Sequence, residues 1–95
     1  GAPFNIAQYA LLTHMLAHST GHGVGELVIS FGDLHIYRNH LAQVEEQLSR
    51  DPRALPTVHI VSDPHETPSV LKLTAENIIL EGYDPAAAIR AEIAV

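Results

Sequence analysis

The chain has 95 residues, with five Lys and Arg against eleven Asp and Glu for a net charge of −6, and no cysteine. A chain of this length makes one unit, residues 1–95, with a small core and marginal stability unless something else supports it. The acidic balance excludes the basic face of a general nucleic-acid binder, and the missing cysteine excludes disulfides, thiolate metal ligands and a cysteine nucleophile.

The opening "APFNIAQYALLTHMLAHSTGHG" reads as a long helix, with Pro3 suited to its first turn and Gly21 and Gly23 to its end. Its apolar residues, Phe4, Ile6, Tyr9, Leu12 and Met15 among them, cover most of the circumference. A helix apolar nearly all round belongs inside a larger body, so a long buried helix and a partner are expected. From Val24 to Tyr37 the sequence reads as a strand, Leu27, Ile29 and Phe31 sharing one face by the two-residue period. Gly32 either continues that strand or marks a bulge, and in both cases His35 and Tyr37 point the same way. "NHLAQVEEQLSR" predicts a short amphipathic helix, "TVHIV" a second strand, "SDPHETPS" a loop, "VLKLTAE" one helical turn at most, and "NIILEGY" a third strand. The tail "DPAAAIRAEIAV" carries helix signals, with Asp84 as a cap, Pro85 first and three alanines following. No charged-then-apolar leader opens the chain, and no apolar run approaches the ~20 residues of a membrane span. A soluble, cytoplasmic protein without membrane or nucleic-acid partners is the expectation. The class expected is α+β, with several strands beside the long helix.

Three groups of residues carry chemistry. His14, His18 and His22 fall at i, i+4, i+8, a spacing that can hold zinc, but "HMLAH" lacks the glutamate of a catalytic zinc motif and His22 lies past Gly21. The reading is no metal, with His14 hydrogen-bonded in the interior and the other two near the surface. His35 and Tyr37, crowded into "SFGDLHIYRNH", offer two groups that bind hydroxyls, suited to a sugar or a carboxylate, or else a polar pair satisfied by backbone. Asn5 sits in the first turn of an apolar helix, where an unsatisfied buried amide costs roughly 1–3 kcal/mol. Its partners are a helix end, a neighbouring loop, or a ligand.

"PFNIAQYALLTHMLAH", "GDLHIYRNHLAQVEEQLSRDPRALP", "LEGYDP" and "AAIRAEIAV" resemble successive blocks of the thymidylate synthase family, in order and at matching spacing. The resemblance spans essentially all 95 residues and covers the C-terminal third or so of family chains. It implies the family's mixed α/β fold and a homodimer. It implies the reductive methylation of dUMP to dTMP with 5,10-methylenetetrahydrofolate as co-substrate and no metal. By resemblance His35 and Tyr37 bind the deoxyribose 3′-hydroxyl of dUMP and Asn5 reads the uracil ring. Ala94 and Val95, at the end of "EIAV", belong to a lid that closes over the folate. This overrides the helical reading of the tail, because the family's segment is mostly irregular. No catalytic residue is assigned in this chain. The family's nucleophilic cysteine and phosphate-gripping arginines fall upstream of the matched blocks, in a segment of the same protein that is expected to precede this one. Arg38, Arg50, Arg53 and Arg90 do not match those arginines. Ser30-Phe31 and the loop "SDPHETPSVLKL" depart from the family pattern. Two other functions are compatible with the residues: a dUMP hydroxymethylase of the same superfamily, and a non-catalytic module that binds a nucleotide or a partner chain.

Overall fold

The computed structural model describes residues 1–93. Its first element is helix α1, Ala2–Thr20. Proline in the first turn costs no intrahelical hydrogen bond there. The helix stops at Gly21, whose φ of 68° and ψ of 27° lie in the left-handed region. There the His22 amide donates to Ala17 O at 2.9 Å and the Gly21 amide to His18 O at 3.4 Å. That 6→1 and 5→2 pair is the Schellman arrangement, which satisfies the carbonyls of Ala17 and His18 in the last turn.

The helix is long, as the sequence predicts, but it is not buried. Ala17, 9% exposed, is its one buried residue, while Phe4 at the start is 84% exposed. The physical reason is coverage. Among the described elements α1 packs chiefly against β1 (Thr57–Ile60) and the 3₁₀ turn Val70–Lys72, residues 27–31 face it across a cavity, and much of an all-round apolar helix is left uncovered.

The predicted strand from Val24 to Tyr37 is also corrected. Residues 22–37 form no strand among the described residues, and Val28 is 83% exposed. A strand is defined by its partner's hydrogen bonds, and no other segment runs beside this one to supply them. The several strands expected reduce to two. β1 pairs antiparallel with β2 (Ile78–Glu81), in the register Thr57 with Glu81 and Ile60 with Ile78. Beyond the ladder the Val61 amide still donates to Asn77 O at 2.9 Å.

Between these parts, a 3₁₀ turn at Arg38–His40 leads into helix α2, Leu41–Leu48. The stretch "VLKLTAE" resolves into two single turns, Val70–Lys72 and Ala75–Asn77. At the second, the Asn77 carboxamide oxygen accepts from the Thr74 amide at 2.7 Å, and its Nδ2 donates to Val61 O at 2.8 Å. One side chain thus caps the start of the turn and ties it to the exit of β1. Residues 83–93 are irregular, as the family resemblance rather than the local helix signals predicts. The radius of gyration is 16.8 Å, against about 12 Å for a compact chain of this length. Helices and a small antiparallel sheet make the class mixed α+β.

Candidate functional site

Two cavities flank the N-terminus of α1 and share Ala2 in their walls. The first, about 530 Å³, is lined by Asn5, Ile6 and Tyr9 of the helix and by residues 27–31 opposite. Its walls are mostly apolar, with Asn5, Tyr9 and Ser30 as the side chains able to hydrogen-bond. The second, about 350 Å³, is lined by His35, Tyr37 and His40, with Gln43 and Gln47 from α2 and Ile89 and Ala91 from the tail. Helix N-terminus, the segment after Gly32, α2 and the tail therefore converge on one end of the molecule.

Asn5 is exposed, and its side chain has no hydrogen-bond partner among the described residues. It does not cap the helix: Gly1 holds that position, without a side-chain bond. The expectation of a buried amide falls with the buried helix. Asn5 is a free donor and acceptor at the mouth of a largely apolar cavity.

His35 and Tyr37 are brought together edge to face, ring centroids 5.1 Å apart at 75°. The His35 Nδ1–H donates to the Asp33 carbonyl at 3.0 Å, with the Asp33 carboxylate 3.4 Å away. A nitrogen that donates to a carbonyl carries the proton, so in the neutral ring Nε2 is left as an acceptor. Beside it stands the Tyr37 hydroxyl, able to donate and accept. The pair presents what a ligand hydroxyl needs, one acceptor and one group of either polarity.

Tyr37 also meets His40, centroids 5.6 Å apart and rings nearly perpendicular at 89°. His40 Nε2–H donates to Glu92 O at 2.6 Å. Sequence reading placed His40 inside the motif but gave it no role. Three more side chains reach the tail in the same manner. Gln43 Nε2 donates to Arg90 O at 3.3 Å, Arg50 Nη1 to Ala87 O at 2.6 Å, and Arg53 Nη1 to Asp84 O at 3.2 Å, with the Asp84 carboxylate as a second acceptor. Arg50 is steadied by Glu46 one turn back, at 2.5 Å. The four donors are His40 just before α2, Gln43 on it, and Arg50 and Arg53 beyond its end. The tail's predicted lid residues, Ala94 and Val95, lie outside the described residues.

The histidines of α1 exchange their expected roles. His18, placed near the surface by the sequence, is half-buried, and its Nε2 shares a 2.9 Å hydrogen bond with Ser62 Oγ just after β1. His14, expected to be hydrogen-bonded, has no hydrogen bond among the described residues and lines an apolar cavity with Leu11, Val58, Leu80 and Tyr83. His22 pairs with the neighbouring Thr20 hydroxyl at 2.9 Å. No group of three or more His, Asp or Glu is placed to hold a metal ion among the described residues. No described helix is long and apolar enough to cross a membrane.

Compared with protein families, the chain matches the family model described as Thymidylate synthase over residues 1–95, its whole length.

Proposed function

The chain belongs to the thymidylate synthase family, and on that premise we propose that it serves the reductive methylation of dUMP to dTMP with 5,10-methylenetetrahydrofolate. Its share of the work is recognition and closure. It holds no cysteine, so the nucleophile that attacks C6 of the pyrimidine comes from another segment of the protein. The observation that carries the reading is the His35–Tyr37 pair, with His35 Nδ1 tied to the Asp33 carbonyl and Nε2 turned to acceptor. That pair suits a deoxyribose 3′-hydroxyl, which donates to Nε2 and accepts from the phenol. Asn5, free of protein partners, reads the base: its oxygen accepts from N3–H of uracil and its nitrogen donates to O4.

The folate supplies the one-carbon unit and the reducing hydride. What this chain adds is a stretch of tail, Ile89 and Ala91, that lines the second cavity together with Pro3. The tail, with Ala94 and Val95, acts as the lid that keeps water from the reaction. The exposed apolar flanks of α1 and of residues 24–37 support a homodimer or a larger assembly with the rest of the protein. The setting is the cytoplasm.

The test is Asn5→Asp in the product of the complete gene. Cytosine presents an acceptor at N3 and an amino group at C4, the reverse of uracil. A site that hydrogen-bonds its substrate rejects the mispaired analogue by up to roughly 10⁴-fold. Asn5→Asp should lower kcat/KM for dUMP and raise it for dCMP while leaving the fold intact. Steady-state kinetics with both nucleotides measures the ratio, and an unmoved ratio discards the base-reading role. The 95-residue chain alone should form no dTMP, since covalent attack needs a thiolate.

A further inference from the structure

The tail runs alongside α2 and the residues that flank it, tied at four points. Going up the tail, carbonyls of Asp84, Ala87, Arg90 and Glu92 meet Arg53, Arg50, Gln43 and His40 in reverse chain order. The lengths agree. The eight residues of α2, Leu41–Leu48, rise about 12 Å, the turns on either side lengthen the row to His40 and Arg50, and five extended residues from 87 to 92 span at most about 16–18 Å. An extended chain laid alongside therefore meets a side chain at each tie. Little else holds it: Ile89 is the one residue from 84 to 93 that is not exposed. The tail lacks regular structure, but a row of donors, Gln43 on α2 with His40 before it and Arg50 and Arg53 beyond its end, gives it a fixed path.

We propose that His40 is the positioning residue of this strap, setting the path of the tail into its last residues from the nucleotide side. Its Nε2–H holds the carbonyl of Glu92, the last tie before Ala94 and Val95 in sequence, and its ring stands against Tyr37. The same imidazole thus touches a hydroxyl-binding side chain and the tail. Contact at Tyr37 and placement of the tail share one side chain. The consequence for turnover rests on reading the tail as the lid; the strap itself does not.

Two substitutions separate the donor from the ring. His40→Phe keeps an aromatic ring against Tyr37 and removes the N–H, while His40→Gln keeps an N–H at the matching position and removes the ring. The readout is trypsin cleavage of the Arg90–Ala91 bond in the product of the complete gene, followed by mass spectrometry. Cleavage after Lys72 reports general loosening in the same sample. Loss of one neutral hydrogen bond raises the open population about fivefold. His40→Phe should be cut after Arg90 about fivefold faster than wild type, and His40→Gln close to the wild-type rate, with cleavage after Lys72 unchanged in both. Wild-type cleavage in His40→Phe, or a parallel rise after Lys72, overturns the proposal. Faster cleavage in His40→Phe with dTMP formation untouched upholds the strap and discards the lid reading instead.

Discussion

Residues 57–60 and 78–81 pair into a ladder, whereas residues 24–37, rich in Val, Ile, Phe and Tyr, run without one. Both stretches favour extended backbone by composition. They differ in what lies beside them. β1 and β2 have each other and rest on α1, with Val58 and Ile60 half-buried. The other stretch has α1 across a cavity from residues 27–31 and nothing in hydrogen-bonding reach. Alternating apolar side chains therefore prepare a strand, and a second chain segment completes it.

Proline exposes the contrast most strongly. The Val61–Asn77 bond fixes the alternation of the antiparallel ladder, which makes His59 and Ile79 the next hydrogen-bonded pair. Ile79→Pro should cost about 3 kcal/mol in urea unfolding of the 95-residue chain, and Ile29→Pro less than about 0.5 kcal/mol. A comparable loss at Ile29 would show that a strand pairs there after all. In an assembly that supplies such a strand, the Ile29 cost should climb toward that of Ile79.

Glycines sharpen the same contrast. Gly82, at the end of β2, has φ of 72°, and Gly32 has no positive φ and open space where a Cβ would go. Gly82→Ala should destabilise by about 1–2 kcal/mol. Gly32→Ala should leave stability unchanged or raise it by roughly 0.5 kcal/mol through the unfolded chain. Equal effects in thermal unfolding would contradict the backbone assigned to either residue.

The anchoring of α1 gives a smaller difference. His18→Ala removes the bond to Ser62 at the ladder's exit and should cost about 1 kcal/mol, while His22→Ala, whose partner is an exposed neighbour, should cost close to nothing. Chemical denaturation of the two variants side by side measures this.

The smallest effect is electrostatic and lies in the loop joining the strands. Lys72 holds the Glu66 carboxylate at 2.7 Å and lowers its pKa, first by the hydrogen bond and then by charge. A depressed folded pKa gives a contribution that is fully present above the unfolded value and is lost as pH falls through the folded one. Lys72→Gln should therefore flatten the acid limb of the stability profile slightly and change nothing in how the ladder forms. Both groups are exposed, so the effect stays small. A steep change would mean that the pair is more enclosed than its geometry shows.

Local signals were legible in the sequence wherever one element settles them. Pro3 and Gly21 marked the two ends of α1, and "TVHIV" and "NIILEGY" marked the two strands. The side-by-side placement of His35 and Tyr37 followed from their spacing. Where the outcome depends on neighbours, the sequence was a weaker guide. The apolar circumference of α1 predicted burial, but burial needs a covering surface, and the described chain covers the helix only in part. Asp84, Pro85 and the three alanines favoured a helix, but Gln43 on α2 and His40, Arg50 and Arg53 beside it offer the tail's carbonyls side-chain donors that compete with helical bonds. His14 and His18 differ by one turn, and which of them finds Ser62 depends on how the helix rolls against β1. No local pattern encodes that roll.

The strap also sets an order of events. Its ties close loops of increasing length, from Arg53–Asp84 at a separation of 31 residues, through 37 and 47, to His40–Glu92 at 52. Closing the longest costs only about 0.5 kcal/mol more than closing the shortest from the open chain, and far less once its neighbour is already fastened. Folding would thus fasten the tail like a zipper, from Asp84 outward, with the Glu92 end last to seat. Under thermal agitation the same end comes loose first, so the tail can peel back a few residues at a time while α2 and the ladder stay in place.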